Sequence, residues 1–175
     1  EIDVRLVGSE MCIRDRVTDL SKKLDVTQIK QCGQRYKDIN YNNVTSITMS
    51  KQKNAFLNKK QDKSDDRIQG AKNFKDFIDI NIKQKKEFKG KRVSNYDFIK
   101  DAINYNNSTV KNKDIENILN SQWKDSEKLI ECKLGNFIPM VYTSGSMEVE
   151  NCIPLYNAIG LGIRVAEKSI LGKRI

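Results

Sequence analysis

At 175 residues, 38% of them hydrophobic and 31% charged, with a mean hydropathy of −0.65, the chain has room for one ordinary domain or parts of two around a modest core. No apolar run reaches membrane-spanning length, and a formal charge of +9, carried mostly by scattered lysine, suits acidic partners such as nucleic acid while also conferring solubility. The absence of histidine excludes a Ser-His-Asp triad. The four cysteines, Cys12, Cys32, Cys132 and Cys152, form no CxxC pair, so neither a tetrahedral zinc site nor a disulfide framework is expected; free thiols imply a reducing, cytoplasmic setting.

In chain order, Arg5 to Arg16 reads RLVGSEMCIRDR, with no amphipathic period and no signal-peptide core. It resembles the translation of a transposase adapter used in short-read library preparation, and residues 1–16 are set aside as an adapter artefact. From 17 to 130 the pattern predicts an irregular helical region. Asp25 and Gln28 have capping-box spacing for a short helix carrying Ile29 and Tyr36. A second helix is expected near Met49–Asn58, burying Ala55 and Phe56, before a polar loop at Lys59–Ser64. Asp65 and Asp66 place negative charge at the start of the longest helix. Its residues Ile68, Ala71, Phe74, Phe77, Ile78 and Ile82 recur at three- and four-residue spacing and so share a face. Gly70 costs that helix about 1 kcal/mol relative to alanine, which points to a close helix crossing.

Lys83–Arg92 (KQKKEFKGKR) reads as a basic loop around Gly90. Ser94 and Asp97 form a second capping signature, leading a helix through Phe98, Ile99, Ala102 and Ile103. A polar break over Asn104–Lys113 separates it from a helix at Asp114–Trp123 with Ile115, Ile118 and Leu119 inward.

The character changes at Gly135. Asn136–Tyr142 (NFIPMVY) suits a short buried strand, with Pro139 marking a bulge or entrance. A small-residue turn, TSGSM, follows. Pro154 then stands at a first helical position, and Leu155, Ala158, Ile159, Gly162, Ile163 and Ala166 line one face. Tyr156, Arg164, Glu167 and Lys168 fall outside that stripe. Gly172 would stop the helix, and Lys173–Ile175 would begin another strand. The expected fold is therefore mainly α: an irregular helical region, then over 135–175 the first β-α unit of an α/β (Rossmann-like) domain, cut off before that fold is complete. Ligands of such sheets bind at the carboxyl ends of strands, where Ser144 and Ser146 lie. G-x-S-x-G and phosphate-loop motifs are absent, so no enzyme is expected.

Tyr142-Thr143-Ser144-Gly145-Ser146 matches D-x-S-x-S at both serines and departs from it at the aspartate. This stretch resembles the metal-ion-dependent adhesion site (MIDAS) of von Willebrand factor A-like domains. The runs NILNSQWKD, LGNFIPMVYTSGSM and PLYNAIGLGIRVAEKSILGKRI, with DRIQGAKNF and FKGKRVSNYDFIKDAI upstream, resemble an uncharacterised TROVE/Ro-like group in which a helical region precedes such a domain. The resemblance implies that Ser144 and Ser146 are hydroxyl ligands of Mg²⁺ bridging to a protein ligand in the parent family, with an aspartate at position 142 there. Two hydroxyls and a phenol bring no negative charge, so no Mg²⁺ is expected on these residues themselves. It also implies RNA as an alternative partner of the basic helical region. Lys83, Lys85, Lys86, Lys89, Lys91 and Arg92 are the candidate contacts, and Phe88 is either a stacking ring or a core residue under a solvated loop.

Overall fold

The structure is a computed structural model that describes residues 2–129 and 134–171, the side chains of 2–11 excepted. The expectations for Cys132, Gly172 and Lys173–Ile175 lie outside the described residues. Seven α-helices make the described chain mainly helical: α1 (Ile2–Lys23), α2 (Thr27–Cys32), α3 (Ser46–Phe56), α4 (Asp65–Lys83), α5 (Asn95–Asn107), α6 (Lys113–Glu127) and α7 (Val149–Lys168). They divide into two compact units, Glu1–Val44 with Asn54–Phe77 and Thr45–Lys53 with Ile78–Ile175, so that α3 and α4 each give residues to both.

In the first unit, α1 extends through the segment read as adapter-derived. Along its described part Ile13, Val17 and Leu20 are each more than half exposed. The capping expectation at Asp25 is corrected. Val26 is the N-cap of α2, with no side-chain cap bond, and Asp25 has a left-handed backbone (φ 48°). Its carboxylate instead meets Lys30 at 2.6 Å, and Lys30 also donates to the Asp38 carbonyl at 2.8 Å. The chain must turn sharply between α1 and α2, and aspartate tolerates that left-handed turn better than most residues. Tyr36 falls beyond α2, in a 3-10 turn at Tyr36–Asp38.

The core of this unit is aromatic. Tyr41, Phe56 and Phe74 are buried, with the Tyr41 ring centroid 5.4 Å from Phe56 and 4.7 Å from Phe74. The three- and four-residue spacing of α4 does produce a buried stripe, with Phe74 and Ile78 fully covered, but Ile68 and Ile82 at its edges are exposed. Gly70 makes the expected close approach, although its neighbour is the 3-10 turn and not a crossing helix. A Cβ there would lie 2.7 Å from the Tyr36 Cβ, and the Tyr41 hydroxyl donates to the Gly70 carbonyl at 3.1 Å. Asp66 accepts the N–H groups of Tyr36 (2.7 Å) and Lys37 (3.1 Å), tying that turn to α4.

In the second unit the signature at Ser94 is realised. Its hydroxyl accepts the Asp97 N–H at 3.1 Å and donates to the Asp97 carboxylate at 2.8 Å. Ile115, Ile118 and Leu119 are buried on α6, and Phe98 meets Trp123 edge to face at 5.3 Å. Helix α7 packs chiefly against α5, where Gly160 brings its backbone onto Asn95; a Cβ at 160 would stand 2.8 Å from the Asn95 Cβ.

Two expectations for the C-terminal stretch are corrected. No strand forms at 136–142 or elsewhere among the described residues. The segment has no regular secondary structure, and one parallel bridge joins Leu134 to Ser169. A buried strand needs ladder partners along its length, and here Pro139 has no N–H to offer while Ile138 and Met140 are 67% and 96% exposed. Val141 is pressed onto α7, close enough to Gly162 that a Cβ at 162 would stand 2.3 Å from the Val141 Cγ2. Second, the buried positions of α7 are Gly160, Gly162, Arg164 and Ala166, whereas Leu155, Ala158, Ile159 and Ile163 are only half-buried. Gly162 and Ala166 belong to the expected stripe, but Gly160 and Arg164 lie outside it, so the most buried line of the helix is shifted toward small residues and one arginine. Pro154 keeps its expected place: Glu150, Asn151 and Cys152 are left-handed (φ 50°, 60° and 63°), so right-handed helix begins just before it.

Candidate functional site

The irregular segment delivers Ser144 in β conformation (φ −132°, ψ 159°) to a 3-10 turn at Gly145–Glu148, which the Met147 N–H closes on the Ser144 carbonyl at 2.9 Å. Nothing lies within 4 Å of a Cβ built at Gly145, so the turn has open space at that position. This brings the Ser144 and Ser146 hydroxyl oxygens to 2.7 Å from each other. Adjacent ligands of an octahedral Mg²⁺ stand about 2.9 Å apart, given bonds of roughly 2.0–2.1 Å, so the spacing suits chelation. The charge does not. Tyr142 is 73% exposed, and among the described residues no three Cys, Asp or Glu side chains form a group that could hold a metal. The donor set is two neutral hydroxyls, and these residues do not fit Mg²⁺.

The basic loop is exposed along its cationic side chains and anchored through its backbone. Phe88 is buried (4% exposed), and its N–H donates to Ser121 Oγ at 2.8 Å. Gly90 N–H donates to Asp125 at 2.8 Å, and Gln122 donates to the Lys89 carbonyl at 2.8 Å. A Cβ at 90 would fall 1.9 Å from the Gln122 carbonyl oxygen, so only glycine allows this approach. Lys83, Lys85, Lys86, Lys89, Lys91 and Arg92 are exposed together. Their positive charge is held on one short loop, but Phe88 is a core residue and offers no stacking ring.

Two buried clusters were not foreseen. Lys53, 5% exposed, bonds Asp101 and donates to the Ser50 carbonyl at 2.9 Å. Ser50 is itself buried and donates to Asp101 at 3.3 Å, so the lysine end of this ion pair is interior while the Asp101 side chain keeps 27% of its surface exposed. Arg164, 4% exposed, lies over the Trp123 ring, donates to the Trp123 carbonyl at 3.0 Å and bonds the Ser126 hydroxyl. Burial lowers the pKa of the Arg164 guanidinium, with Glu167 opposing the shift. Helical periodicity places all of these residues on helices, but a polar side chain at a given angle carries no mark of the partner it will meet. Comparison of the chain with protein-family models, curated proteins and solved structures finds no match.

Proposed function

We propose that this chain comes from a non-catalytic binding protein of the TROVE/Ro-like kind, in which residues from Gly135 onward open a von Willebrand factor A-like domain. In the parent, that domain holds a carboxylate-bearing protein ligand through a divalent cation at Ser144 and Ser146. The observation that carries this reading is the 2.7 Å hydroxyl pair, displayed on a turn that leads into α7. It is supported by the parallel bridge from Leu134 to Ser169 across α7, since parallel pairing requires a crossover and a helix is its usual form. Residues 1–16 have no part in the function, and exposed, unpaired Cys12 and Cys32 suit a reducing cytoplasm.

The site as it stands lacks charge, so the test restores it. Tyr142→Asp should give a protein whose melting temperature rises with millimolar Mg²⁺, while the native chain does not respond. A Tyr142→Asp protein equally indifferent to Mg²⁺ removes the metal-bridging mechanism.

A second reading, RNA binding, is favoured by the exposed cluster from Lys83 to Arg92. With Phe88 buried, contact would be to phosphates. Filter binding should weaken steeply with salt, and Lys85→Gln with Lys86→Gln and Lys91→Gln should flatten that dependence. Salt-independent affinity removes this reading.

A further inference from the structure

The first unit contains an open groove of about 540 Å³, within the roughly 300–1,000 Å³ typical of small-molecule sites. Its floor is Leu57, Ile68 and Ala71, and Lys63, Lys72 and Lys75 stand around it. On α4, Ala71 and Lys72 lie three and four residues after Ile68, and Lys75 lies four and three residues after them, so one side of the helix supplies an apolar strip with cations beside it. This explains why Ile68 remains 54% exposed: it faces the groove and not the aromatic core.

The opposite wall is a fixed turn. Asn58 and Gln61 are left-handed (φ 50° and 55°). The Asn58 side chain donates to the Asp62 carbonyl at 2.8 Å and accepts the Asp62 N–H at 3.0 Å. Asp62 is the one acidic residue lining the groove, and its carboxylate accepts the Ser64 N–H at 3.0 Å, which lowers its pKa. That charge is directed into the turn's own backbone. Three lysines therefore line a groove whose other lining includes Leu57, Ile68 and Ala71, against one carboxylate that is already engaged.

We propose that this groove binds an aliphatic carboxylate, its chain lying on Leu57, Ile68 and Ala71 and its head group between Lys72 and Lys75. The complementarity is twofold: an apolar body for the floor and a single anionic end for the lysine rim. The site is independent of the Ser144–Ser146 turn and of the basic loop, so its fate and theirs are separable.

The test is a ¹⁵N-HSQC titration of the full chain with decanoate below its micelle concentration, and with decanol as the uncharged control. Saturable shifts confined to the amides around 57–63 and 68–75 are expected, with decanoate binding more tightly than decanol. Lys72→Gln with Lys75→Gln should raise the decanoate Kd about five- to tenfold and leave decanol unchanged, as two exposed ion contacts allow. Ile68→Asp, at an exposed position where folding should survive, should abolish both. Absence of saturable shifts, equal affinity for decanoate and decanol, or shifts that persist in Ile68→Asp would each overturn the proposal. So would binding of an acidic peptide at these residues with none of decanoate.

Discussion

The guanidinium of Arg164 lies flat over the indole of Trp123, 3.3 Å from the ring centroid, while the Trp123 Nε1–H donates to Glu167 at 3.0 Å. The three side chains close on one another: Arg164 reaches Glu167 at 3.6 Å and bonds the end of α6 through the Trp123 carbonyl and Ser126. This cluster joins α6 to α7. Arg164→Ala should destabilise the second unit by about 3 kcal/mol, through the lost stacking and the uncompensated Glu167. Arg164→Met should recover part of that by filling the space, and Arg164→Lys should not restore it, since a lysine cannot stack as a flat fork. Urea unfolding followed by the emission of the single tryptophan measures all three.

Gly90 and Gly145 make opposite predictions. At 90 an added methyl group meets the Gln122 backbone, which cannot swing away as a side chain could. Gly90→Ala should cost about 3 kcal/mol, at the upper end of overpacking effects, and loosen the basic loop. At 145 the space is open, so Gly145→Ala should stay within about 0.5 kcal/mol of the native chain. Thermal melts of the two variants side by side provide the check.

Tyr41 sets an alkaline limit on the first unit. Burial raises the pKa of its hydroxyl far above the ordinary 10.0. Because the folded value is the higher one, the associated stability is fully present below about pH 10 and is lost as pH rises from there through the folded value. Unfolding of the native chain should therefore set in above pH 10. In Tyr41→Phe that component should vanish, with a baseline loss of about 1 kcal/mol from the hydrogen bond to Gly70. Circular dichroism across pH 8 to 12 distinguishes the two.

Ser94→Ala should cost about 1 kcal/mol, because the first turn of α5 then loses the oxygen that accepts the Asp97 N–H. Ser94→Asn should recover most of it. Asp25→Ala should leave α2 without a capping defect, since Val26 and not Asp25 occupies the N-cap.

What was legible in the residues was local. Ser94 with Asp97 marked a helix start because the hydroxyl oxygen and the amide N–H that donates to it are three residues apart on one chain. The faces of α4 and α6 followed from periodicity, and the close approach at Gly70 followed from the cost of a glycine in a helix. The Ser144–Ser146 turn was likewise visible, since two hydroxyls two residues apart on a small-residue turn can meet without help from elsewhere.

Tertiary structure decided whatever depended on a partner distant in sequence. Phe88 became core and not a stacking ring because Ser121, Gln122 and Asp125 hold the loop backbone onto α6. Arg164 left the solvent face because Trp123 and Ser126 receive it, and Tyr36 fixed what Gly70 was for. The stretch from Asn136 to Tyr142 has the composition of a strand, but a strand is a property of a pair. With one parallel bridge, at Leu134, and no ladder beside them, these residues remain irregular chain. Side-chain pattern sets which face a segment can bury; only the neighbour that arrives determines whether it does.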